Sequence, residues 1–521
     1  MRETVRIYDT TLRDGTQREG ISLSCDDKLR IAQRLDRFGV RYIEGGFPGS
    51  NPKDQEFFRR ARQMTWTHAR ITAFGATRRA GLRANQDPNL QALLDAGTDT
   101  CTIFGKSSLL HVREILRISD QENLDIIGDS VGFLHQAGRE VIYDAEHFFD
   151  GYRLDADYAI STLRAAASAG ADVLVLCDTN GGMLPWDVEE IVRAVRTAVD
   201  TPIGIHAHND SGCGVANSLA AVRAGALHVQ GTINGYGERC GNANLCGIIP
   251  TLQLKGTWDC VPADQLAGLT DLAHAVAAIA NIVPDDHQPY VGHSAFAHKG
   301  GVHVAAIARN VASYSHILPE QVGNQTRTVI SELSGRANVA TLAADHGLTP
   351  NAVQMGQVLE QIKVAESAGF AFEAAEASVA LMLLRTEAEY APLFELVDYK
   401  VMVGQRGVSE PWAEATLKVR VSGTAVHTAG EGNGPVSALD QALRKALAPQ
   451  HPSVADVALV DYKVRILNGD AGTNAITRVM IESRDGERTW TTTGASSNII
   501  DASWLALADS LEYYFHFLLK D

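Results

Sequence analysis

The sequence has no basic excess. Lys and Arg number 46 against 62 Asp and Glu, a formal charge of −16. That balance argues against the electropositive footprint of a nucleic-acid-binding surface, although a local cluster of Arg, Lys or metal could still hold an anion. No run approaches the ~18 apolar residues that a membrane helix needs. The N-terminal stretch turns strand-like almost at once and lacks a basic segment followed by an apolar core, so no secretory signal is expected. The seven cysteines, at 25, 101, 177, 213, 240, 246 and 260, are odd in number, form no C-x-x-C pair and are absent from the second half. Disulfides are not expected, and a reducing cytoplasm fits that usage. Cys240 and Cys246 flank a Gly/Asn-rich loop and read as plain thiols. No low-complexity segment and no internal repeat stands out, and no G-x-G-x-x-G follows the first strand, which counts against a doubly wound dinucleotide fold.

What remains is an ordinary globular composition, 45% hydrophobic and 21% charged over 521 residues, long enough for two to four domains. Short apolar, β-branched runs recur at Val5–Leu12, Tyr42–Pro48, Arg70–Gly75, Thr100–Gly105, Val141–His147, Val173–Thr179, Ile203–His208 and Val229–Gly235. Amphipathic stretches such as Asp26–Phe38, Pro88–Asp95 and Trp186–Ala198 separate most of them. Near-continuous apolar strands alternating with helices indicate a parallel sheet with both faces covered. Eight such units predict an α/β fold, a (β/α)8 TIM barrel over residues 1–284. A Gly/His/Pro-rich loop-and-helix subdomain is expected at 285–335, a second helical connector subdomain at 336–393, and a C-terminal α+β domain at 394–521.

The strongest local signal is His206-Ala207-His208 near the end of the seventh strand. Residues i and i+2 of a strand face the same side, so two imidazoles can share one divalent ion at the strand end, where barrel active sites form. A histidine satisfied within the core is the plainer alternative. Asp14, after the first strand, is the third ligand candidate: strands one and seven both border strand eight in a closed barrel. Taken alone, Asp14-Gly15 also reads as a turn.

Several motifs carry a family resemblance over essentially the whole chain. D-T-T-L-R-D-G-T-Q-R-E-G at 9–20, G-G-F-P at 45–48, H-A-H-N-D at 206–210 and G-E-R-C-G-N-A-N at 237–244 resemble the DRE-TIM metallolyase superfamily. S-A-F-A-H-K-G-G-V-H at 294–303 is similar to its Claisen-condensing branch, the 2-isopropylmalate, homocitrate and citramalate synthases. G-T-N-A-I-T-R-V at 472–479 and S-S-N-I-I-D-A-S-W at 496–504 resemble the LeuA-type regulatory domain. T-I-F-G-K-S at 102–107 and Y-D-A-E-H-F-F-D-G-Y at 143–152 look most like the citramalate-forming members.

The resemblance implies a divalent ion (Mg, Mn or Zn) on Asp14, His206 and His208, with Asn242 ligating or supporting it. It implies pyruvate and acetyl-CoA as substrates, with Arg13 on the keto oxygen, Thr179 on the oxo-acid carboxylate and Gln17 beside Asp14. A fixed guanidinium next to a metal suits a developing oxyanion; a surface ion pair for Arg13 and a helix cap for Thr179 are the plain alternatives. Ala76, Phe104 and Asp144 are the expected oxo-acid pocket. His303 is implied as the base that takes the thioester α-proton, assisted by Glu146, with Tyr314 near the acetyl group; His298 competes for the base, and Glu146 could instead neutralise His147 or Lys106. Glu44, Glu238 and Arg239 read as loop-ordering ion pairs. The C-terminal domain is implied to form a homodimer and to bind isoleucine, with the Gly430–Gly434 loop and Ala471–Asn474 as ligand-contacting backbone, although such glycines also serve plain tight turns. The sibling synthases with larger oxo acids and a hydroxyacyl-CoA lyase are the alternative activities.

Overall fold

The computed structural model describes residues 2–307, 309–406, 410–486 and 488–519. It divides into two compact units, Met1–Phe296 with Ile317–Gln325, and Ala297–His316 with Thr326–Asp521.

The first unit is a closed barrel of eight parallel strands: β1 Arg6–Asp9, β2 Tyr42–Gly46, β3 Arg70–Ala76, β4 Thr100–Lys106, β5 Glu140–Glu146, β6 Val173–Asp178, β7 Ile203–Ala207 and β8 His228–Gly231. Each lies within or across one of the eight apolar runs, because a strand covered on both faces has no polar side to show. Helices α1 Cys25–Phe38, α2 Pro52–Ala61, α3 Pro88–Asp95, α4 Asp120–Gln136, α5 Phe148–Leu154, α6 Ala156–Ser168, α7 Pro185–Ala198, α8 Gly214–Arg223, α9 Leu245–Pro250 and α10 Leu269–Ile279 complete this unit. Their starts are written locally. Ser24 accepts from the Asp27 amide while Asp27 returns a bond, closing a capping box, and Asn51, Asp87, Ser119 and Asp155 cap α2, α3, α4 and α6. Gly39 ends α1 at φ +94°, a conformation that disfavours a side chain.

Inside the barrel, Tyr8, Tyr42, Ile142, Val173, Val175 and Cys177 form a dry cluster. His228 sits against it, its ring centroid 5.3 Å from Tyr8 and 5.6 Å from Tyr42. Both its ring nitrogens are buried without a hydrogen-bond partner. Burial, reinforced by the Arg6 charge, pushes its pKa down from 6.5 to about 3. Because the folded value lies below the unfolded one, the stability carried by neutral His228 is complete above pH 6.5 and is lost as pH falls toward 3. At ~1.4 kcal/mol per pKa unit, the ceiling is on the order of 5 kcal/mol. His228→Leu is expected to flatten the acid limb of stability. Urea midpoints between pH 7 and 4 check this, and identical slopes in the two proteins would refute it.

The second unit opens with α11 Gly301–Ile307, followed by helices α12 Arg336–Asp345, α13 Ala352–Ser367 and α14 Glu376–Leu384. It continues into two three-stranded antiparallel sheets. Strands β9 Phe394–Arg406, β10 Glu410–Val421 and β11 Thr424–Gly432 precede α15 Pro435–Leu447; β12 Ala458–Ile466, β13 Thr477–Arg484 and β14 Thr489–Ser496 precede α16 Ile499–Tyr513. The two halves copy each other although the sequence shows no repeat. Each first strand carries a register shift near its start, at Leu396/Asp398 and at Leu459/Asp461. Each third strand holds a glycine where the helix backbone crosses: a Cβ on Gly430 would lie 2.4 Å from the Ala438 carbonyl oxygen, and one on Gly494 2.1 Å from that of Ala502.

This corrects the reading of Gly430 as loop. It is a β11 residue paired with Ala415, in a strand where Ala425, Ala429, Gly430 and Gly432 carry little β-propensity. Gly434 does lie outside the strand, with open space around it, as the residue before α15. Ala471 and Asn474 lie in a 3-10 segment, Gly469–Asn474, between β12 and β13. Among the described residues, no helix is long and apolar enough to cross a membrane, and all seven cysteines are free thiols.

Candidate active site

The C-terminal ends of the strands surround a cavity of about 320 Å³. Its lining includes Arg13, Asp14, Gln17, Asp144, Glu146, Thr179, His206 and His208, with Phe74 and Phe104 as the aromatic wall. Asp14, His206 and His208 are buried and bring one ligand atom each within 4.8 Å of one another. The imidazole Nε2 atoms of His206 and His208 lie 3.6 and 4.0 Å from Asp14 Oδ2. Burial drives both imidazoles toward the neutral form, and the charge of His206 helps bring His208 down to about 4. Burial alone would raise Asp14, but Arg13, the two histidines and a bond from Asn242 outweigh it and hold the carboxylate at about 2. Neutral imidazoles and an ionised carboxylate are the states that bind a divalent cation.

Asn242 reaches this cluster through the loop after β8. It pairs across an isolated bridge with His208, donates from Nδ2 to Asp14 Oδ1 at 3.0 Å, and leaves Oδ1 buried with no partner. The loop closes only because Gly237 and Gly241 have positive φ and no side chain: a Cβ on Gly237 would lie 2.1 Å from Asn242 Nδ2, and one on Gly241 2.0 Å from the Gly235 carbonyl. An orphaned acceptor beside two lone-pair donors and a carboxylate is a set that fits a divalent ion.

Arg13 is fixed from three sides. Its Nε donates to Glu44, its Nη1 lies 3.2 Å from Asp14 Oδ2, and its guanidinium carbon sits 3.8 Å above the Phe74 ring. Glu44 is fully buried and also accepts from Thr10 Oγ1 at 2.6 Å and from the Tyr8 hydroxyl. Thus Glu44, read as a loop-ordering pair, instead anchors the guanidinium. Glu238 and Arg239 do order a loop: Arg239 binds Asp210 at 2.7 Å and the Thr179 carbonyl at 2.8 Å, with Glu238 beside it. Both also line the cavity.

Thr179 is not a helix cap, since α7 starts at Pro185 after Leu184. Its hydroxyl accepts from the His147 amide at 2.8 Å and the residue faces the cavity. Glu146 forms an ion pair with Lys106. Gln17 sits on the exposed rim in the Gly15–Gln17 turn. Ala76 is not part of the wall. It pairs in register with Phe104 but is not among the residues that line the cavity, whereas the Phe74 and Phe104 rings, stacked 5.5 Å apart, both are. Phe74 therefore replaces Ala76 as the third-strand pocket residue. In the second unit, His303 on α11 stacks 4.2 Å from the half-exposed Tyr314. His298 lies close enough for the charge of His303 to lower it further, although burial is the larger cause.

Residues 4–277 match the HMGL-like family, 290–369 the homocitrate synthase post-HMGL domain and 373–515 the LeuA allosteric (dimerisation) domain. The (R)-citramalate synthase of Geobacter sulfurreducens is 52% identical over 516 residues, 98% of this chain and 98% of its own. That of Aquifex aeolicus is 50% identical over 525 residues, 100% of this chain and 99% of its own. The 2-isopropylmalate synthase of Methanocaldococcus jannaschii is 31% identical over 515 residues, 98% of this chain and 94% of its own.

Proposed function

The chain belongs to the (R)-citramalate synthase family, on the HMGL-like barrel, and from that premise we propose how its residues condense acetyl-CoA with pyruvate and release citramalate and CoA. The observation that carries the assignment of the site is the gathering of Arg13, Asp14, His206 and His208 around one cavity closed by Phe74 and Phe104. Asp14, His206 and His208, supported by Asn242, would hold a divalent ion of the Mg, Mn or Zn kind, which when bound supplies a Lewis acid for the oxo-acid oxygens.

The chain's own groups do the rest. The Thr179 hydroxyl orients the pyruvate carboxylate, with Gln17 at the rim. Arg13 donates to the keto oxygen and holds the charge that grows there as the new carbon–carbon bond forms. His303 takes a methyl proton from the acetyl thioester, Glu146 is the carboxylate assigned to the same step, and Tyr314 orients the acetyl group. Water then cleaves the thioester. Phe104, Phe74 and Asp144 are the proposed walls beside the pyruvate methyl group. The barrel at 1–284, the subdomains at 285–335 and 336–393 and the regulatory domain at 394–521 are the proposed division of labour. The matched dimerisation domain supports a homodimer, and the free thiols support a reducing cytoplasm.

The test is a kcat/KM comparison of pyruvate, 2-oxobutyrate, 2-oxoisovalerate and 2-oxoglutarate with acetyl-CoA. Pyruvate is expected to lead. Each added methylene should cost ~1–3 kcal/mol, or roughly 10- to 200-fold, and Phe104→Ala should narrow the gap to 2-oxoisovalerate. Preference for 2-oxoisovalerate in the unmodified chain would move the assignment to 2-isopropylmalate synthesis.

The proposed effector is isoleucine, bound near Gly434 and Ala471–Asn474. Added to the full chain, isoleucine should slow turnover at concentrations where leucine does not. The reverse order would reassign the effector.

A further inference from the structure

Gln230 has no part in the assignments above, yet it is completely buried at the centre of the barrel. It stands directly opposite His206, the two residues being register partners on β8 and β7. Gln230 Oε1 lies 2.9 Å from His206 Nδ1, and Gln230 Nε2 donates to Asp144 Oδ1 at 2.9 Å. An amide oxygen can only accept. The hydrogen between the two groups must therefore sit on Nδ1, which leaves the lone pair on Nε2, the nitrogen 3.6 Å from Asp14 Oδ2.

The amide itself needs orienting. Turned over, it would offer its NH2 to the imidazole and favour a hydrogen on Nε2, the atom that must be bare to ligate. Asp144 opposes that turn: its Oδ1 accepts from the NH2 group, as either oxygen of an ionised carboxylate does and as a neutral carboxyl does with its proton on Oδ2. Asp144 is 4% exposed, so water does not compete for the bond. His208 has no equivalent: its Nδ1 is buried and without a partner. Control of tautomer is thus built around one of the two histidines.

We propose that Gln230, held by Asp144, is a positioning residue that keeps His206 in its metal-ligating tautomer. The inference rests on the metal reading of the Asp14–His206–His208 cluster. Partners of this kind typically change metal affinity by about 10- to 100-fold when removed.

The experiment is a calorimetric titration of the metal-free full chain with Mn2+ alone. Gln230→Met keeps the volume but not the acceptor and should weaken Mn2+ binding by about 10- to 100-fold. Asp144→Asn keeps an acceptor toward the amide and should bind within about threefold of the parent, a change smaller than the lower end of that range. Asp144→Leu releases the amide and should fall between them, and it tests the same chain of bonds if Gln230→Met does not fold. A residue that only filled the barrel would alter the melting temperature and leave Mn2+ affinity where it was. Equal affinities in the parent and Gln230→Met overturn the inference while leaving the metal site standing; a parent chain that binds no Mn2+ overturns the metal site and the inference with it.

Discussion

Arg13→Ala is expected to lower kcat/KM by about a thousandfold and to destabilise the barrel at the same time. The first effect follows from losing a fixed donor to the keto oxygen; removing one such group typically costs 10²–10³ in rate, and the charge of Arg13 adds to it. The second follows from Glu44. That carboxylate is fully buried, and its cationic partner is the Arg13 guanidinium. Leaving a buried charge unpaired costs about 3–5 kcal/mol. The two effects can be separated. Adding Glu44→Gln removes the stranded charge while an amide can still bond Thr10 and Tyr8, so the double variant should regain most of the lost stability and none of the lost activity. Urea denaturation and initial rates on the same preparations check this. Recovery of activity in the double variant would show that Arg13 acts only by keeping the barrel folded.

His206→Ala is expected to abolish metal binding and turnover together, with the fold retained. The side chain is buried, but its loss leaves only Gln230 Oε1 short of one bond, a cost of about 1–3 kcal/mol. Withdrawing a Lewis acid from the site removes several kcal/mol of transition-state stabilisation, about three orders of magnitude or more in rate. Elemental analysis of the purified protein and the rate of CoA release are the paired measurements. A metal-free His206→Ala protein with full activity would falsify the scheme.

The barrel was legible because its grammar is strong. Strands covered on both faces spell themselves as apolar runs, and the two-residue spacing of His206 and His208 survives any error in register. Asp14 needed only closure of the sheet to bring it near them. Other features depended on distances no pattern encodes. Gln230 in Val229-Gln230-Gly231 looks like a stray polar residue until the strand beside it is known. Phe74 in Ala73-Phe74-Gly75 looks like any core aromatic, and only its stacking on Phe104 and under Arg13 shows that it makes the wall. Glu44 reads as a loop-ordering pair because charge in a sequence says nothing of depth. In the C-terminal domain, β11 was hidden by its small residues, and the duplication of the two halves by side chains that diverged while backbone spacing did not.

Gly430 and Gly494 bear on how functional maps of this protein are to be interpreted. Each sits where a helix lies so close to the third strand that even a methyl group would strike backbone. In a mutational scan scored by growth or product yield, both would be as intolerant as residues that touch substrate, and Gly430 would masquerade as part of an effector site. Abundance scores separate the classes: variants at these two glycines should vanish from the soluble pool, whereas fold-retaining variants such as His206→Ala should accumulate as full-length, inactive protein.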